Sequence, residues 1–132
     1  MGGTPAFMLP LLLFNAVCAL WRAAAPALSV ESVHGHVLAL QERLLAGLAR
    51  LPPPAAAALG ALVPLQPAPS RSHTLAFGHA SPGDAAAAVA RLRAAGVLVD
   101  CRGQLLRVGL GPYHTAADVD ALLEALAAAA LA

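Results

Sequence analysis

The sequence predicts an α+β fold: two N-terminal helices followed by a small antiparallel sheet with helices on one face, in the order β-α-β-β-α. Three observations predict it. Apolar residues recur at helical spacing before residue 52, they alternate at strand spacing between 72 and 79, and two strand-like runs meet across a glycine near residue 103. A chain of 132 residues suffices for one domain with its own core. Its parts read as 1–51, two helices; 52–69, a Pro/Ala-rich connection; and 70–132, the α+β module.

The first helix is expected over 6–24, with Pro5 in the first turn and Pro26 beyond its end. Apolar residues occupy nearly all its faces, so it reads as buried on several sides. A signal peptide fits less well, because residues 1–5 carry no Lys or Arg; a membrane span fits less well, because Asn15 and Arg22 interrupt the apolar run. The second helix starts at Ser29, whose hydroxyl can cap it, with Glu31 suited to the positive end of the helix dipole. Val30, Val33, Val37, Leu40, Leu44, Leu48 and Leu51 line one stripe, and Pro52, Pro53 and Pro54 end it. The connection has room for one helical turn at 55–62.

Residues 72–79 alternate as a half-buried strand. Ser81, Pro82, Gly83 and Asp84 then form a capping box for a helix that Gly96 stops in a left-handed conformation. Strands at 97–101 and 104–110 are expected to join across Arg102 and Gly103 as a hairpin with positive φ at Gly103. Thr115 to Asp118 is a second capping box, opening a last helix that buries Val119, Leu122, Leu123 and Leu126.

Composition excludes several function classes. The eight cationic residues are all arginine and scattered, and the formal net charge is +1, so no basic patch for nucleic acid is expected. Cys18 and Cys101 lie far apart without a CxxC and read as small buried hydrophobes in a reducing, cytoplasmic compartment. His34 and His36 are two apart on a helix and do not face one another, while His73 and His79 are roughly 20 Å apart along a strand, so no metal site is expected. Ser72, His73 and Asp100 lack the nucleophile elbow of a hydrolase. His114 beside Tyr113 stands near a pocket or serves the helix start.

Several local sequences together resemble the class V aminotransferase and kynureninase group of pyridoxal-phosphate enzymes. They are Gly2-Gly3-Thr4-Pro5 before an apolar helix, HVLALQERLLAGL from His36, the run Gly96 to Gly103 (GVLVDCRG), Leu106-Arg107-Val108-Gly109, Tyr113-His114, and Asp118-Val119-Asp120-Ala121-Leu122. The resemblance implies the small C-terminal domain of a fold-type-I enzyme that is cytoplasmic and dimeric and acts on an amino-acid substrate. It further implies that Arg107 holds the substrate α-carboxylate, for which a planar guanidinium is suited, and that Thr4, with Gly3, contacts the cofactor phosphate.

The family's cofactor lysine, the aspartate on the pyridine nitrogen and the stacking aromatic belong to a large domain that this sequence does not contain. A side-chain imine needs a lysine, and the sequence has none. The chain is therefore expected to be inactive alone and to need the large domain or a second polypeptide. The alternative is a stand-alone, non-enzymatic binding or structural module whose first helix meets a partner, acts as a signal or lies at a membrane. The reading frame upstream of Met1 discriminates the two: a frame encoding a large domain with its lysine supports the first, and a genuine start with no such frame supports the second.

Overall fold

The computed structural model describes residues 8–24 and 29–129. They form α1 (Met8–Ala24), α2 (Val30–Leu48), α3 (Pro53–Ala57), β1 (Ala61–Leu62), a 3-10 turn (Ala68–Ser70), β2 (Thr74–Gly78), α4 (Pro82–Ala94), β3 (Asp100–Arg102), β4 (Leu105–Gly109) and α5 (Ala116–Ala129). The described chain is thus mixed α+β, with five α-helices and one four-stranded antiparallel sheet ordered β1-β2-β4-β3.

The chain divides into two compact units, Met1–His34 and Gly35–Ala132. In the first, α1 carries Arg22 in its last turn, where a cation meets the negative end of the dipole. Within its own unit α1 does not have the burial expected of it: Phe14 is 65% and Leu20 70% exposed, and a helix apolar all round needs other protein on several sides. Ser29 caps the start of α2 as expected, its Oγ accepting from the Ser32 N–H at 3.0 Å.

In the second unit the core lies under one face of the sheet. Leu75 and Phe77 of β2 and Leu106 and Val108 of β4 are buried, and they join Val37, Leu40 and Leu44 of α2, Ala88 and Leu92 of α4, and Val119, Leu122 and Leu126 of α5. Leu75 pairs with Val108 and Phe77 with Leu106, so the strand alternation puts both pairs on the same side. At Gly47 a Cβ would come within 2.2 Å of Leu123, so this glycine lets α5 press against α2.

Both caps form, each with one half of the reciprocal box. Ser81 Oγ accepts from the Asp84 N–H at 3.2 Å and donates to the Asp84 carboxylate at 2.8 Å. Asp118 Oδ2 accepts from the Thr115 N–H at 2.7 Å and the Thr115 hydroxyl at 2.8 Å. At the other end of α4, Val97 N–H reaches Leu92 O at 2.9 Å and Gly96 N–H reaches Arg93 O at 3.0 Å, with Gly96 at φ 81°. That is a Schellman motif.

Three expectations need correction. The helical turn expected at 55–62 is only Pro53–Ala57, and Ala61–Leu62 is an edge strand on β2. Gly60 at φ 95° makes the change of direction, and a Cβ there would lie 2.5 Å from Gly78 O. The strand expected at 97–101 is Asp100–Arg102, and the hairpin turn is Gly103–Gln104, one residue later than expected. Positive φ at Gly103 (58°) and at no described non-glycine residue fits a type II′ turn, which wants glycine first. Cys18 and Cys101 are free but half-buried, Cys101 because it lies on the edge strand β3.

Gly60→Ala should destabilise the fold by about 2–3 kcal/mol, strain and clash together. Gly96→Ala, where a Cβ meets nothing within 4 Å, should cost about 1 kcal/mol from backbone conformation alone. Urea unfolding of the two variants measures the difference.

Candidate functional site

The sheet face opposite the core carries Arg107. Because β4 alternates, the buried neighbours Leu106 and Val108 force Arg107 outward, and the register places it between Ala76 of β2 and Asp100 of β3. Ala76 is small and leaves the guanidinium uncovered on one side. On the other side Asp100 engages it with both oxygens: Nε donates to Oδ1 at 3.0 Å, and Nη2 makes a second, short bond to Oδ2. Both partners keep substantial exposure, 40% for Arg107 and 61% for Asp100.

These residues line an open groove of about 580 Å³ together with Thr74, Leu98, Val99, Gly109, Tyr113 and His114. Tyr113 and His114 come from the loop between β4 and α5, which is fixed at several points. Leu110 N–H donates to His73 O at 2.9 Å, and His114 N–H closes a turn onto Gly111 O at 3.1 Å. His114 Nδ1 accepts from the Gly111 N–H at 2.8 Å, which leaves the neutral ring its proton on Nε2. His36 of α2 donates through Nε2 to His114 O at 2.8 Å. Gly111 is small where the Tyr113 ring crosses it, and the Tyr113 and His114 rings lie 4.4 Å apart.

Sequence reasoning placed Arg107 on the strand after the hairpin and left His114 either near a pocket or serving the helix start; both residues line the groove, and His114 also fixes its own loop. It missed Asp100. The two-residue turn at Gly103–Gln104 makes Asp100 the direct partner of Arg107; a turn one residue earlier would have paired Asp100 with Leu105. Nothing in the sequence signalled that His36 holds the loop. Thr4 and Gly3 lie outside the described residues. Among the described residues, no cluster of three or more His, Cys, Asp or Glu side chains could hold a metal ion. No described helix is long and apolar enough to cross a membrane.

The electrostatics are those of a surface site. The hydrogen bonds and charge of Arg107 hold the Asp100 carboxyl below the usual carboxylate range. Asp118 is lowered first by the Thr115 backbone N–H and then by the Thr115 hydroxyl. On the α2–α5 side, Arg43 donates to both oxygens of Asp120 at 2.8 and 2.7 Å and lowers its carboxyl likewise.

Pyridoxal phosphate does not fit the described residues by themselves. The chain has no lysine; the groove offers one guanidinium, already taken by a carboxylate, and no second cation for a phosphate dianion. What the groove can do is exchange one carboxylate for another on Arg107. An ion pair this exposed is screened by solvent, so opening it costs little. Comparison with protein-family models, with curated proteins and with solved structures gave no match.

Arg107→Ala should return the Asp100 carboxyl toward its ordinary 3.8, as measured by a carbon-detected NMR titration. The sign for stability follows. A carboxyl depressed in the folded chain stabilises it above pH 3.8, and that contribution is lost as pH falls from 3.8 through the folded value. The variant should therefore show a shallower loss of stability in that window.

Proposed function

We propose that the chain is the small domain of a pyridoxal-phosphate-dependent enzyme of the class V aminotransferase and kynureninase group, with Arg107 as the residue that takes the α-carboxylate of an amino-acid substrate. The observation that carries the reading is Arg107 on the open sheet face, held bidentately by Asp100 in the geometry a substrate carboxylate would need. The strand–helix–hairpin–helix order of the second unit, and the local resemblance of the residues around Arg107 and Asp118 to that group, support it further.

In this reading the chain's own residues bind and orient. Arg107 fixes the carboxylate by two parallel hydrogen bonds, which sets the direction of the α-carbon substituents. The Tyr113–His114 loop, tied to His36, walls the groove beside it. Pyridoxal phosphate would supply the electron sink for bond cleavage at the α-carbon, and a lysine-bearing large domain would have to hold it.

The protein purified from its native source tests this. Peptides from 102–129 are expected to co-purify with a lysine-bearing polypeptide, on the same chain or another, and with one pyridoxal group per active site released on denaturation. A native species without pyridoxal would overturn the reading. In the intact enzyme Arg107→Ala should raise KM for the amino acid on the order of 100-fold, as expected when a charged hydrogen-bonding partner is truncated.

The exposure of Phe14 and Leu20 favours a second reading, a free-standing association module that covers its apolar helix with a partner. For that module, Phe14→Glu combined with Leu20→Glu should abolish self-association in sedimentation velocity while pyridoxal remains absent from the native protein.

A further inference from the structure

The Arg107 groove adjoins a second cavity of about 380 Å³ at the end of β4, and Leu98, Val99, Gly109 and His114 line both. The chemistry changes from one to the other. The first holds the Arg107–Asp100 pair, whereas the second is lined by Val97, Val108, Leu110, Val119 and Leu122, with polar side chains only from His114 and Asp118. Its origin is the late start of β3. After α4 ends at Gly96, residues 97–99 run outside the ladder, and pairing with β4 begins only at Asp100. The end of β4 is therefore not covered by a strand there, and Leu98 stands 81% exposed over the junction of the two cavities.

A cation at one end and hydrocarbon walls at the other define a ligand by charge and polarity together. We propose that the two cavities form one site for a small carboxylate that carries an apolar chain or ring, its carboxylate on Arg107 and its hydrocarbon part in the cavity beside Leu98. This rests on Arg107 as the carboxylate-binding residue and adds the selection of the side chain. A carboxylate with a short polar side chain would leave the second cavity filled with water and gain nothing from it. Leu98, exposed at the junction, loses solvent contact when the hydrocarbon part enters.

The test is an NMR titration of the isotope-labelled chain, at constant ionic strength and neutral pH, with acetate, butanoate, hexanoate and uncharged hexanamide. Affinity is expected to rise roughly fourfold per buried methylene, and so about fifteenfold from butanoate to hexanoate. Shifts should concentrate at Val97, Leu98 and Val119, and hexanamide should bind at least about tenfold more weakly than hexanoate, since it lacks the charge-assisted bonds. Ala121→Phe, at the exposed rim of the second cavity, should remove the chain-length dependence and leave acetate unchanged; Arg107→Ala should remove the advantage of hexanoate over hexanamide. Equal affinity along the series, or shifts elsewhere, overturns the inference on the wild-type chain alone, whatever the variants do. The enzyme reading is tested separately: a native protein without pyridoxal whose chain still prefers hexanoate keeps this site and loses that reading, and a pyridoxal protein indifferent to chain length does the reverse.

Discussion

The register between β2 and β4 decides where every other feature of the second unit points. Leu75 lies opposite Val108 and Phe77 opposite Leu106, all facing the helices, which leaves Ala76 and Arg107 paired on the other face. A slip of β4 by one residue would turn its side chains over, burying the guanidinium and exposing Leu106 and Val108. Magnitudes show which interaction sets the register. Burying a Leu, Val or Phe side chain contributes about 1.5–3 kcal/mol, whereas an ion pair as exposed as Arg107–Asp100 is screened by solvent and contributes far less. The apolar alternation therefore aims Arg107, and Asp100 only holds it. This division suits a binding residue, because the weak contact is the one a ligand would displace.

Local backbone devices hold the surroundings of that face. The Schellman motif at Gly96 ends α4 and turns the chain toward β3, and the Gly103–Gln104 turn sets β3 against β4 with Asp100 beside Arg107. The Thr115–Asp118 cap starts α5 directly after the Tyr113–His114 loop. One side-chain contact joins this loop to a distant element, His36 of α2 to the His114 carbonyl. The loop is thus positioned by its own turn, by β2 through His73 O and by α2, which gives the groove a defined wall.

Much of this was legible in the sequence because it is local. Both caps, the stop at Gly96, positive φ at Gly103 and the alternation of 72–79 depend on residues within a few positions of one another. What was not legible depends on pairing at a distance. β1 is two residues long in a stretch of Ala, Leu and Pro without alternation, and it exists because β2 offers it an edge. Val97, Leu98 and Val99 read as a strand from their composition, yet the chain reaches the β4 ladder only at Asp100. The Arg107–Asp100 contact followed from the turn position, where a one-residue error hid it. The apolarity of α1 was plain, but nothing in it says what covers the helix.

In the proposed enzyme these features divide the work of binding. The sheet face presents a guanidinium, the loop walls the groove, and the missing lysine comes from a domain outside this sequence. The most direct measurement is a crystal structure of the native protein with an amino-acid ligand bound. The account predicts the ligand carboxylate bidentate on Arg107, with Asp100 released from it. Arg107 still closed on Asp100, with the carboxylate held by other residues, would contradict it.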